Sequence, residues 1–163
     1  MSCVRNQIRN LDLSRNKKLN TLFCEYNQLK RLDFSQNKKL KWLTCGYNQL
    51  KNLDLSQNTQ IANLDCGNNQ LKKLDLSRHS RLKTLWCEDN QLKTVNINRN
   101  APLISLFCDN NLLSVSALNA VFASLPKASY GSTIRVVGNP GAASCNKSIA
   151  TKKGWRFSTK LAD

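Results

Sequence analysis

The chain has 163 residues with 25 Lys and Arg against 10 Asp and Glu, a formal charge of +15, seven cysteines and one histidine. That length is enough for one domain with a sizeable core, and the charge bears on solubility and partners, favouring anionic ones such as nucleic acid, anionic lipid or sulfated glycan. No stretch approaches the roughly 18 apolar residues of a membrane-spanning helix, no basic-then-apolar signal segment is present, and there is no Gly-rich phosphate loop, metal-ligand motif or carboxylate pair assignable to acid and base roles, so no catalytic residue, cofactor or metal site is expected.

From residue 1 to about 113 the chain repeats itself. Cys3, Cys24, Cys45, Cys66, Cys87 and Cys108 are each 21 residues apart. The first copy, "MSCVRNQIRNLDLSRNKK", is shortened; "LNTLFCEYNQLKRLDFSQNKK" from Leu19 and its successors from Leu40, Ile61 and Leu82 are complete. "LISLFCDNNLL" from Leu103 is a partial one. Each unit is double: a half reading L-x-x-L-x-C-x-x-N-x-L, then a half reading L-x-x-L-D-L-S-x-N. Within "LFCEY", Leu22 and Cys24 share one face of a strand while Phe23 and Glu25 share the other. Leu32 and Phe34 repeat the inward pattern in the second half. A single coil cannot bury its apolar side, so neighbouring coils must cover it. The expected architecture is a repeat solenoid: stacked 21-residue coils, five to six of them with the first incomplete, carrying two parallel β-sheets around an apolar interior.

Two columns of asparagine accompany the repeat. One is Asn6, Asn27, Asn48, Asn69, Asn90 and Asn111; the other is Asn16, Asn37, Asn58, His79 and Asn100. Asn can satisfy turn backbone groups and tolerates unusual backbone angles, so both columns are expected to be scaffolding. His79 is expected to be a substitute rung rather than a base or ligand.

These motifs resemble bacterial leucine-rich repeat proteins with a 21-residue cysteine-containing unit, found in host-associated bacteria including spirochaetes. The resemblance covers residues 1 to about 113. His79 and "TVNIN" (Thr94 to Asn98) depart from the pattern. It implies a secreted, periplasmic or cell-surface protein that contacts host components.

The cysteines fall at inward strand positions. Parallel neighbours about 4.8 Å apart do not offer disulfide geometry, and a column spreads ligands along a line where zinc needs convergence. A buried ladder of small hydrophobes is the reading that remains. The second-half outward positions barely vary, with Asp12, Asp33, Asp54 and Asp75 followed two residues on by serines. That uniformity points to a structural demand; a calcium column is the competing reading, weakened by the basic residues beside it.

The first-half outward positions vary, and they carry aromatics and acids. Exposed aromatics mark binding patches. Phe23, Tyr26, Trp42, Tyr47, Trp86 and Phe107, with Glu25 and Glu88, are therefore the candidate contact strip for a protein partner, a host extracellular one by the resemblance. Packing on neighbouring coils is the plainer alternative. The connectors gather basic charge, and Lys17, Lys18, Lys38, Lys39, Lys72 and Lys73 form an alternative site for a polyanion, a glycosaminoglycan or nucleic acid. No small-molecule substrate is expected.

Residues 114–163 break the period and are expected to close the solenoid as a C-terminal α/β cap. "SVSALNAVFASLP" places Leu118, Val121, Phe122 and Leu125 on one helical face, capped by Ser114 or Ser116 and ended by Pro126. "STIRVV" reads as a strand, "GNPG" as a turn, "AASCNKSIATKKG" as a short helix and "WRFS" as a last strand. Lys127, Arg135, Lys147, Lys152, Lys153, Arg156 and Lys160 give this segment a basic excess over Asp163, so it offers a further candidate anion site.

Overall fold

Each 21-residue unit forms one coil, because the apolar positions alternate with polar ones over only three strand residues before a turn intervenes. The computed structural model describes residues 1–158; Lys160 and Asp163 lie outside the described residues. In chain order the elements are β1 (Thr21–Phe23), β2 (Trp42–Thr44), β3 (Asn63–Asp65), β4 (Lys73–Leu76), β5 (Thr84–Trp86), β6 (Thr94–Ile97), β7 (Ser105–Phe107), α1 (Val115–Ser124), β8 (Thr133–Arg135), α2 (Ser148–Thr151) and β9 (Arg156–Phe157). Strands β1, β2, β3, β5, β7, β8 and β9 form one sheet in that order, and β4 pairs with β6 in a second. All pairings are parallel. Equivalent residues of successive coils stand side by side, as in Leu22 with Leu43 and Leu43 with Leu64.

The interior is built of identical layers. Leu22, Leu43, Leu64, Leu85 and Leu106 form one fully buried column, and Cys24, Cys45, Cys66, Cys87 and Cys108 form the next. The thiols are free and belong to the core. Burial among apolar groups disfavours the thiolate and pushes all five upward. Each fully buried leucine contributes about 1.5–3 kcal/mol of transfer free energy.

The second sheet is shorter than the repeat suggests. Only the coils bearing β4 and β6 pair as strands; in the earlier coils the equivalent segments, 10–13, 31–34 and 52–55, run irregularly beside the core. The turn that follows each segment comes from the aspartate column. Asp12, Asp33, Asp54 and Asp75 each accept a hydrogen bond from the backbone N–H two residues on, that of Ser14, Ser35, Ser56 and Ser77, at 2.8–3.0 Å. This side-chain turn bends the segment and holds the carboxyls below their ordinary range. The column is thus structural, and its carboxylates are engaged with the chain itself.

The asparagines stitch coil to coil. Asn48 Nδ2 donates to the carbonyls of Cys24, Cys45 and Gly46, while its Oδ1 accepts from Leu29 N–H. Asn27, Asn69, Asn90 and Asn111 repeat that set. The unusual backbone angle belongs to the residue before each asparagine: Arg5, Tyr26, Tyr47, Asn68, Asp89 and Asn110 have φ between 49° and 55°. The asparagines themselves serve as hydrogen-bonding rungs.

The same pair recurs in the C-terminal segment. Gly138 has φ of 76° and Asn139 donates to the Cys108 and Val136 carbonyls and accepts from Leu113 N–H. A side chain at Gly138 would run into Asn110 Oδ1, so this rung needs glycine. "TIRVVGN" is therefore a further coil, with Val136 in the cysteine's place, but offset by 28 residues where the others are offset by 21. The extra length accommodates α1. Its Ser114 hydroxyl accepts from Ala117 N–H, and Leu118, Val121 and Phe122 face the core. Cys145 is buried there as well.

Candidate functional site

The outer face of the seven-stranded sheet carries four columns of side chains, because strand residues alternate and the coils stack in register. In one column stand Phe23, Thr44, Asp65, Trp86, Phe107 and Arg135; the next column outward along the strand holds Glu25, Gly46, Gly67, Glu88 and Asp109. Trp42 is on the flanking column of Thr21 and Asn63. Tyr26 and Tyr47 project from the left-handed turn just past the sheet.

The predicted aromatics come together in pairs, and the pairs fall into two groups. Tyr26 and Tyr47 stack at 4.2 Å, and the Trp42 ring meets Phe23 edge-on at 6.0 Å. Two coils further on, Trp86 lies parallel to Phe107 at 6.0 Å. Asn63, Asp65 and Asn68 separate the groups, so the strip is interrupted. Trp42, Tyr47, Tyr26 and Trp86 are 47%, 48%, 43% and 41% exposed, whereas Phe23 and Phe107 are half-buried. Rings of this size left open in an otherwise packed repeat form a wettable apolar surface.

The acids lie between the rings. Glu25 and Glu88 are half-buried, and each keeps Oε2 out of solvent with no hydrogen-bond partner among the described residues. Glu88 crosses Gly67, and Asp65 crosses Gly46; a Cβ at either glycine would press on the carboxylate above it. Burial, reinforced by Asp65 and Asp109, pushes the Glu88 carboxyl up to about 7. Burial raises Asp65 too, although Gly67 N–H donates to it. Asp109 is different. Arg135 Nε donates to its Oδ2 at 2.7 Å and the guanidinium lies 4.2 Å from the Phe107 centroid.

The predicted polyanion residues do not form one patch. All six are exposed, but Lys17, Lys18, Lys38 and Lys39 lie on a corner where the later coils carry Thr59, Gln60 and Ser80, with Arg81 as the one basic residue of the third and fourth coils there. Lys72 belongs instead to an exposed column that the spacing contains and the sequence reading overlooked: Arg9, Lys30, Lys51, Lys72 and Lys93. In the C-terminal segment Lys153 is not available to an anion, since its ammonium donates to the Phe122, Ala123 and Leu125 carbonyls. A groove of about 410 Å³ opens on the opposite side between the second halves of the third and fourth coils, lined by Asp54, Asp75, Lys73 and His79. Its two carboxylates already serve Ser56 and Ser77.

No family model matches the chain, and no curated protein matches it. Among solved structures, an internalin, InlF, from Listeria monocytogenes aligns over 99% of this chain and 41% of its own, at 18% identity and a TM-score of 0.64. The chain has the leucine-rich repeat fold. The functional domain of InlJ from Listeria monocytogenes, described as including a cysteine ladder, aligns over 93% of this chain and 42% of its own, at 27% identity and a TM-score of 0.44. The leucine-rich repeat chain thus spans well under half the length of either protein. No helix among its described residues is long and apolar enough to cross a membrane.

Proposed function

We propose that this leucine-rich repeat chain is a non-enzymatic interaction scaffold, secreted or displayed at a bacterial surface, and that it binds a protein partner through the outer face of the seven-stranded sheet. The observation that carries the reading is the exposure of Trp42, Tyr47, Tyr26 and Trp86 on one face. Large rigid rings supply much contact area at low entropic cost, and they anchor interfaces. A host extracellular protein is the partner class that the repeat resemblance suggests. The test is binding of the purified chain to arrayed extracellular proteins at roughly 0.05 and 0.5 M salt. A selective protein partner retained at high salt, and lost on Trp42→Ala or Trp86→Ala, supports the reading. Retention by both variants refutes the assignment of the face.

A second reading is favoured by the basic column. Arg9, Lys30, Lys51, Lys72 and Lys93 repeat once per coil, a step of about 4.8 Å, and so present a row of cations to a linear polyanion such as a glycosaminoglycan. Heparin binding that falls steeply with salt and weakens with Lys51→Ala and Lys72→Ala supports it.

A further inference from the structure

One arrangement occurs three times on the aromatic face: an aromatic ring, an inward cysteine, then a carboxylate. The pairs are Phe23 with Glu25, Trp86 with Glu88, and Phe107 with Asp109. The third pair holds a cation. Arg135, the residue in register with Phe107 on the next coil, lays its guanidinium on the ring and its Nε against the carboxylate in a buried contact. Among the described residues the other two pairs have no cation in ion-pair contact, although Arg135 acts on Glu88 at longer range. The coil after Phe23 and Glu25 brings Thr44 and Gly46; the coil after Trp86 and Glu88 brings Phe107 and Asp109. Arg5 lies over Tyr26, and among the described residues it makes no ion pair with Glu25.

The charge distribution points the same way. Of the ten acidic residues in the chain, four are tied into the aspartate turns and Asp163 lies outside the described residues. The remaining five, Glu25, Asp65, Glu88, Asp89 and Asp109, all belong to this one face. A protein of charge +15 therefore collects half of its ten acids on the surface where its aromatic rings are exposed; Asp65, Asp89 and Asp109 accept hydrogen bonds there, and Glu25 and Glu88 each keep a buried carboxylate oxygen unpartnered among the described residues. Half-buried carboxylates are costly while unpaired, and a cation wedged between ring and carboxylate relieves that cost.

We propose that this face binds a basic polypeptide segment in extended conformation, whose Lys or Arg side chains enter the Phe23–Glu25 and Trp86–Glu88 pairs as Arg135 enters the Phe107–Asp109 pair. The inference rests on the protein-binding reading of the face and names the chemistry of its partner. The two pairs are three coils apart, about 14 Å at about 4.8 Å per coil, and an extended chain advances about 3.3 Å per residue. Cations about four residues apart fit that span, and an even spacing keeps them on one side of the segment.

The test is selection of a displayed library of random linear peptides on the intact chain at near-physiological salt. The net positive charge repels basic peptides at long range, so their enrichment reports a local site. The expected result is peptides with two basic residues about four apart whose affinity falls at least about tenfold against Glu25→Gln/Glu88→Gln protein and also falls against Trp86→Ala protein. Enrichment of neutral or acidic peptides that depend on Trp42 and Trp86 but not on the glutamates overturns the basic partner and leaves the face. Peptides indifferent to all four residues, or no enrichment, overturn both.

Discussion

Asn139 Nδ2 donates to the Cys108 carbonyl at 2.9 Å, the bond that Asn111 makes to Cys87 one coil earlier. The rung matters because one amide satisfies backbone groups of two coils at once, which the solvent cannot reach. Replacing a central rung, Asn69→Ala, removes three bonds to the Cys45, Cys66 and Gly67 carbonyls, which keep Asn48 Nδ2, Asn90 Nδ2 and Tyr47 N–H as donors, and takes from the buried Leu50 N–H its Oδ1 acceptor. That should cost at least about 3 kcal/mol. Asn6 is exposed and, among the described residues, its side chain bonds within its own coil, to the Cys3 and Val4 carbonyls. Asn6→Ala should cost less than about 1 kcal/mol. Urea unfolding midpoints of the two variants check the contrast, and equal costs would contradict the rung account.

The thiols give a second test. Cys24 to Cys108 are wholly buried with their thiolates disfavoured, whereas Cys3 is half-buried in the shortened first coil. An aromatic disulfide reagent at mildly alkaline pH should modify Cys3 first, and the ladder thiols only when coils open. Modification of the ladder at the rate of Cys3 in folded protein would show that the interior is not packed as described.

How much of this the sequence contained depends on periodicity. The 21-residue spacing made the leucine and cysteine columns legible, because a fixed period and an alternating strand leave one way to stack the coils. The coil at Asn139 escaped notice because its offset is 28 and valine stands where cysteine is expected. The left-handed turn at Tyr26 and Tyr47 was hidden by the bulky residues; Asn68, Asp89 and Asn110 in the same column were the available signal. The aromatic residues of the candidate face were legible as outward positions. Their division into two groups, and the buried Arg135–Asp109 pair, depend on which coil neighbours which beyond residue 113.

A helix end supplies a third prediction. Within α1 no basic residue lies in the last turn, and the Lys153 ammonium, from the far side of α2, meets the carbonyls of Phe122, Ala123 and Leu125 at 3.2, 2.6 and 2.7 Å. The Phe122 carbonyl also accepts from Leu125 N–H at the helix end, and the cation faces the negative end of the helix dipole. Lys153→Met keeps the packing stem and removes the charge. It should lower stability by about 1–3 kcal/mol, read as a lower urea midpoint at unchanged slope. Lys152→Met, on an exposed residue, should change little.

Two groups of opposite sense make stability depend on pH. Glu88 has its carboxyl raised from the ordinary carboxylate value to about 7, mainly by burial, with Asp65 and Asp109 adding to the rise and Arg135 opposing it. The folded protein therefore holds a proton that the unfolded chain releases, and stability falls as pH climbs from about 4.5 through about 7. With screening by solvent at this half-buried position, the loss is about 1–2 kcal/mol. Glu88→Gln abolishes it, so the variant should gain on the wild type steadily across that window.

His79 works the other way. It is 1% exposed in the asparagine column, burial lowers its pKa, and among the described residues neither ring nitrogen has a well-formed hydrogen bond, although the Leu55 and Leu76 carbonyls lie near and Asp75 opposes the shift. The unfolded chain binds the proton that the folded one refuses, so stability is lost as pH falls below about 6.5. At the equivalent rung Asn58 donates to the Phe34 and Asn37 carbonyls at 3.0 and 2.9 Å. His79→Asn should therefore stabilise the chain by about 1 kcal/mol at neutral pH, and by more as pH falls toward 5. Urea midpoints of wild type, Glu88→Gln and His79→Asn between about pH 5 and 8 separate the two effects, because the advantage of the first variant grows with pH while that of the second shrinks. An advantage of His79→Asn that does not vary with pH would mean that the ring is already satisfied by the carbonyls beside it.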